Sequence, residues 1–292
     1  GLSDTNYDKL LIGWSTQPVM SGMFFEASAA YCAGATARQI LIDNFGWIIT
    51  DGGIACSTAD HFVTTWKTDN LSTGSSNSTS ITIRTYPGEV YNYDVDWDDD
   101  GVFDTLGVTG TITHDFGVAG TYTIRLRGLF PRIFFANGGD RLKLLSVDRW
   151  GAIAWSSMQN AFYGCANLHI NATDAPDLSS VTSMASMFTF CTAFNENINH
   201  WDVSSVTDMI NLFNGASSFN QPLNNWNVGN VTSMLVMFLN ASSFNQPLDN
   251  WDVSNVVSMT GMFQASPFNQ DIGKWNVSNV LYLRGTFNNT KL

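Results

Sequence analysis

The feature that most constrains this chain is a repeat of about 25 residues in its second half. FNENINHWDVSSVTDMINLF begins at Phe194, FNQPLNNWNVGNVTSMLVMF at Phe219, FNQPLDNWDVSNVVSMTGMF at Phe244 and FNQDIGKWNVSNVLYLRGTF at Phe268. Trp201, Trp226, Trp251 and Trp275 keep the same step, and a weaker copy runs from Phe162 through Leu168 to Met184 and Phe188. Each copy offers a few large apolar groups, such as Phe219, Leu223, Trp226, Val228, Val231, Met234 and Phe238. Burying about seven of them yields roughly 10–20 kcal/mol. Ordering about 25 residues costs roughly 1–2 kcal/mol each in backbone entropy. One copy therefore cannot fold alone, whereas stacked copies share their buried faces. Within a copy, alternation predicts a short strand over 226–228. Apolar positions 231, 234, 235 and 238 predict a helical turn.

The ladders created by stacking carry the candidate recognition residues. Asn195, Asn220, Asn245 and Asn269 recur after each first Phe and read as an internal asparagine ladder serving turn backbone groups. Asp202, Asn227, Asp252 and Asn276 follow each Trp and alternate away from it. They are expected to line one exposed strand face, which is either simply solvated or a ligand-contacting surface. Cys165 and Cys191 hold equivalent places in adjacent copies, where later copies have Ala216 and Ala241. Neighbouring coils bring α-carbons near the span a disulfide needs, so a bridge and a pair of unlinked buried thiols are both open.

The repeat also resembles a known family. AFYGCANL at 161–168 matches the AFxxCxxL signature of the BspA-like (Treponema-type) leucine-rich repeat, and the FNQPLxxWxVSNVTSMxxMF copies look like its related short surface-protein repeat. The resemblance spans about 155–292 and implies a leucine-rich-type solenoid on a secreted or cell-surface protein with a role in adhesion.

Before the repeats the pattern turns to β, with strands expected over 62–67, 81–85, 90–97, 109–114 and 121–127 between Gly, Asn and Ser turns. YNYDVDWDDDG followed by THDFGVAGTYTIRLRG resembles a PKD-type immunoglobulin-like domain, with His114, Gly120, Tyr122, Ile124 and Leu126 at the matching places. That implies a β-sandwich acting as spacer or protein-contact module, although the turn differs from that family's usual WxFGDG. Asp96, Asp98, Asp100 and Asp104 spell DxDxDGxxD. Clustered hard oxygens and a turn-permitting Gly101 suit Ca²⁺, and thrombospondin type 3 and dockerin-like loops look similar. Gly107 stands where an EF-hand would place its Glu, so a solvated acidic hairpin stays open beside the calcium reading.

Residues 129–154 read as a linker whose segment 140–150 forms a short helix capping the first repeat. In residues 1–56, helices are expected over 6–14 and 35–44 and a strand with a turn over 46–53. Cys32 and Cys56 flank the second helix and are disulfide candidates. This segment resembles the closing piece that follows such repeat arrays, through NYDxLLxGW, YCxGxxAR and GWxITDGG. The expectation is one phase-shifted unit of a tandem array, or a subunit of a head-to-tail filament; an arbitrary boundary stays open. The fold class expected is thus mostly β with short helices: a small α/β closing segment (1–56), an immunoglobulin-like sandwich (57–128), a linker (129–154) and a leucine-rich-type solenoid (155–292).

The formal net charge of −12 argues against nucleic acid, whose phosphates would be repelled. No apolar run approaches the roughly 18–20 residues of a membrane span. His61, His114, His169 and His200 lie in different elements with no partner pattern, and no nucleophile, zinc-protease or phosphate-loop motif occurs, so no enzyme is expected. The expected function is an extracellular structural or adhesive module that self-associates. A receptor for a glycan or host protein through the strand face is the alternative, and a phage fibre component a further one.

Overall fold

The computed structural model describes residues 2–32, 34–55 and 58–290. Helix α1 (Asp4–Ser15) starts where the Ser3 hydroxyl accepts the Asn6 N–H, meeting one of the orphan donors of a first turn. Strand β1 (Phe24–Glu26) and helix α2 (Ala35–Phe45) follow. Gly46, at φ 66°, stops α2 in the left-handed conformation and turns the chain into β2 (Ile48–Thr50). β1 and β2 pair in parallel, Phe24 opposite Ile48. Tyr7, Leu11, Ala37, Leu41 and Trp47 form a small core of their own between helices and strands.

The central strands are β3 (Phe62–Lys67), β4 (Ser80–Ile83), β5 (Asn92–Asp96), β6 (Thr105–Val108), β7 (Ile112–Asp115), β8 (Thr121–Leu129), β9 (Leu144–Arg149) and β10 (His169–Ile170). One six-stranded sheet runs β10-β9-β3-β8-β5-β6, and β4 and β7 form a separate two-stranded sheet. This corrects the expected immunoglobulin-like sandwich. The main sheet is mixed, because β10 joins β9 in parallel while its other pairs are antiparallel. It also recruits β9 from the supposed linker and β10 from the first repeat. The helix expected over 140–150 is instead β9, whose Leu144 and Val147 are buried against the edge of β3. A buried ion pair, Asp140 with Lys143 at 3.4 Å, pins the Ser-rich loop: Lys143 Nζ donates to the Ser76, Asn77 and Ser80 carbonyls.

The repeats pile up, but not as a leucine-rich-type solenoid. No strand forms at 226–228 and no helix at 231–238; each of the four later copies is built of turns and contributes a single bridge residue. These bridges run in parallel from Ser183 to Asp208, Ser233, Ser258 and Tyr282. Beside them lies a one-way ladder. Met184, Ser186, Phe188 and Phe190 donate their N–H groups to the carbonyls of Asp208, Ile210, Leu212 and Asn214 at 2.8–3.0 Å. The next junctions repeat this, down to Met259, Gly261, Phe263 and Ala265 donating to Tyr282, Arg284, Thr286 and Asn288. The residue after each acceptor is the next donor, so the same peptide unit accepts from the coil before and donates to the coil after. The backbone reaches this geometry by left-handed residues at Ser186, Phe190, Asn211, Val236, Asn240, Ala265 and Asn289, with Gly215, Gly261 and Gly285 among them. A helix, whose N–H groups bond within the same turn, cannot present such donors to a neighbour.

Side chains stack with the same step. Phe162, Phe188, Phe213, Phe238, Phe263 and Phe287 form one column, successive centroids 5.4–6.0 Å apart. Phe194, Phe219, Phe244 and Phe268 form a second. Trp201, Trp226, Trp251 and Trp275 are buried, and the last three donate their indole N–H to the Ile198, Leu223 and Leu248 carbonyls. A single apolar core runs from Phe62 in the sheet to Trp275 in the coils, so the expected boundaries at 128 and 154 have no counterpart in the packing.

Candidate functional site

The exposed ladder residues sit on turns. Asp202, Asn227, Asp252 and Asn276 each accept, through Oδ1, the backbone N–H two residues on: Ser204, Gly229, Ser254 and Ser278, at 3.0–3.2 Å. They therefore close Asx turns and form an exposed ribbon along the coils rather than a strand face. The hydroxyls of Ser204 and Ser254 hold the Asp202 and Asp252 carboxyls below the usual range, so the ribbon alternates charged and neutral groups. Asn220, Asn245 and Asn269 donate their backbone N–H to Oδ1 of Asn195, Asn220 and Asn245, at 2.8–2.9 Å. This is the ladder of turn contacts the spacing implies.

The acidic loop gathers three of its four candidates. Asp96, Asp98 and Asp104 place one oxygen each within 4.8 Å of one another; Asp100 is not among them, and its Oδ1 accepts the Val102 N–H at 2.7 Å. Asp96 is fully buried and accepts the N–H groups of Asp99 and Gly101, with the Arg125 guanidinium 3.8 Å away. Arg125 also pairs with Asp99, and Asp104 accepts the Trp97 N–H. Desolvation and the neighbouring Asp100, Asp104 and Asp96 push the Asp98 carboxyl up. Both oxygens of Asp96 and one of Asp104 thus accept N–H groups of the turn, and Arg125 supplies positive charge beside Asp96.

Cys165 and Cys191 are free and buried, so no bridge joins these two candidates. The Cys191 thiol instead donates to the Phe162 carbonyl at 3.1 Å, and burial pushes both thiols far up. Cys32 is disulfide-bonded; Cys56, the partner its spacing suggests, lies outside the described residues.

Sequence reasoning missed two clefts. One, of about 240 Å³, lies over the sheet face between Thr65, Thr123, Arg125, Asp148 and Arg149; the alternation of IRLRG is the signal that could have placed Arg125 outward. The other, of about 330 Å³, separates α2 from β5, between Gln39, Asp43, Asn92 and Asp94. The largest apolar exposures lie elsewhere. Met20, Met23, Phe24 and Ile48 are exposed on the β1–β2 segment, Phe24 at 79%. Val277, Leu281, Tyr282, Leu283 and Phe287 are exposed on the last coil, Leu281 at 72%. Contiguous exposed apolar groups of this kind mark contact surfaces.

Residues 156–267 and again 237–292 match the family described as Mycoplasma protein of unknown function, DUF285. The match covers the coils, a little under half of the chain, which is similar there to that family. That description names no catalytic activity. No curated protein and no solved structure matches the chain. Among the described residues, no helix is long and apolar enough to cross a membrane.

Proposed function

We propose that the chain is an extracellular structural or adhesive module that associates head-to-tail with copies of itself. The observation that carries this reading is the pair of exposed apolar surfaces, Met20, Phe24 and Ile48 on one segment and Leu281, Leu283 and Phe287 on the other. Such groups gain about 25 cal/mol per Å² when covered. The disulfide at Cys32 supports an oxidising compartment. The uncharged Ser, Thr and Asn surface of the coils suits an exterior setting. Light scattering over a concentration series, with electron microscopy of the concentrated protein, tests the reading: open-ended oligomers are expected, and monodisperse monomers at high concentration would overturn it.

A second reading, favoured by the exposed Asx ribbon, is recognition of a glycan or host protein. Saturable binding on a glycan array or in a pull-down, lost on joint substitution of Asp202 and Asp252 by Ala, would support it.

A further inference from the structure

The register of the six-stranded sheet fixes which side chains share its outer face, opposite the apolar core. Val63 on β3 pairs with Arg125 on β8 at one side and with Arg149 on β9 at the other, and Thr65 pairs likewise with Thr123 and Ser146. Paired residues share a face, so the two arginine α-carbons stand about 10 Å apart across Val63, two strand spacings. In a regular strand Asp148 and Arg149 would point to opposite faces. The register of β9 against β3 shifts between Val63 and Thr64, which sets both residues opposite Val63, and both line the same cleft. Bulges of this kind re-aim side chains next to functional sites. Helix α2 lies against β5 and β8. The cleft of about 240 Å³ opens over the β3–β9 side of the face, with Asp99 at its wall and Val63 at its floor.

The polar groups of this cleft are held in place by their neighbours. Asp99 accepts the Nε–H of Arg125 and Asp96 lies 3.8 Å from the same nitrogen, while Nη1 and Nη2 have no hydrogen-bond partner among the described residues. Asp148 accepts Thr65 Oγ1 at 2.7 Å and Ser146 Oγ at 2.8 Å, and Thr65 Oγ1 lies 2.9 Å from Thr123 Oγ1. Groups fixed in this way lose little freedom when a ligand arrives. The lining carries two guanidiniums and two carboxylates. An anion drawn to Arg125 and Arg149 meets Asp99 and Asp148 as well, and a cation meets the reverse. A neutral ligand with donors and acceptors on adjacent atoms suits all four. A guanidinium offers two parallel N–H donors, a carboxylate accepts from hydroxyls, and a threonine hydroxyl does either. Val63 adds an apolar floor for C–H groups. We infer that the cleft binds one uncharged sugar ring, Arg125 donating to its hydroxyl oxygens and Asp148 accepting from its hydroxyls. The volume lies below the range of about 300–1,000 Å³ that takes drug-sized ligands, which fits one ring and not an extended chain. This site shares its ligand class with the second reading above, yet lies on the sheet and not on the coils, and depends on neither reading.

An array of neutral and acidic oligosaccharides, probed with wild type, is expected to show saturable binding of a neutral one. Isothermal titration calorimetry with that oligosaccharide then compares variants, each checked for native far-ultraviolet circular dichroism. Arg125→Lys keeps the charge facing Asp96 and Asp99 but loses the paired donors, and is expected to bind at least tenfold more weakly. Thr123→Tyr fills the cleft with a residue that suits a strand, and the same loss is expected; it decides alone if Arg125→Lys does not fold. The joint Asp202→Ala and Asp252→Ala variant is expected to bind like wild type, which separates the cleft from the coil ribbon. Absence of saturable binding to any neutral oligosaccharide, or binding confined to acidic ones, would overturn the sugar site. So would full-strength binding by the folded cleft variants, or binding lost in the coil variant alone.

Discussion

The rings of Phe188 and Phe213 lie 5.6 Å apart between centroids and 9° from parallel, so one coil is held on the next by face-to-face contact of identical side chains. Phe213 also stacks on Phe219 at 4.3 Å and on Phe238 at 5.4 Å, and is fully buried. Phe213→Ala opens a cavity that rigid coils on both sides cannot fill. The expected loss is about 3–5 kcal/mol, read as a lowered midpoint in urea. A loss under about 1 kcal/mol would show that the coils can slide closed.

Val236 adopts φ 49°, a left-handed conformation that a β-branched residue rarely takes. The equivalent place is Asn211 one coil earlier and Gly261 one coil later. Val236→Asn is expected to raise stability by about 1 kcal/mol, since Asn tolerates this backbone. Differential scanning calorimetry should show a melting temperature above that of wild type.

His61 is buried with neither ring nitrogen hydrogen-bonded among the described residues, and Phe103 meets its ring edge-on at 5.1 Å. Burial, then the nearby Arg127 and Arg125, hold its pKa below the ordinary value. The unfolded chain therefore takes up this proton first as pH falls. The stability owed to neutral His61 is complete above the unfolded value of about 6.5. It declines below that at up to about 1.4 kcal/mol per pH unit, until the depressed folded pKa is passed. Chemical denaturation between pH 7 and 5 should show this slope in wild type and a shallower one in His61→Phe.

Asp96 satisfies the N–H groups of Asp99 and Gly101 from a fully buried position next to Arg125. Asp96→Asn turns an amide toward one of those donors and removes the charge facing Arg125. A cost of about 1–3 kcal/mol is expected, measured by equilibrium unfolding. Asp98→Asn, on the outside of the same turn, should leave the midpoint unchanged.

Much of this architecture was legible because it is local or periodic. α1, α2, β3 and β8 follow from apolar spacing and turn residues close to where the structure has them. Stacking of the coils follows from the step between Trp201 and Trp226. The interior of a coil was not legible from the same signal. Val231, Met234, Leu235 and Phe238 have the spacing of a helix face, yet the backbone changes hand at Val236 and Asn240. Asn and Gly at 211, 215, 240 and 261 were the clue to left-handed residues, and apolar periodicity does not report handedness. β9 reads as a helix for a related reason: Leu144 and Val147 are three apart, and only the distant edge of β3 makes the segment extend. Of the acidic quartet, Asp96, Asp98 and Asp104 converge, while Asp100 turns to its own loop because a spacing rule cannot tell a metal ligand from an Asx turn.

The Phe columns make every junction in the coil region nearly a copy of the one before. Insertion or removal of one whole coil would return the same rings and the same four bonds to their partners. Length is then free to vary without redesign of any contact, graduated in increments near the 5.4 Å that separates Phe213 from Phe238. The number of coils alone then sets how long the stack is, without a change in the chemistry of any one layer.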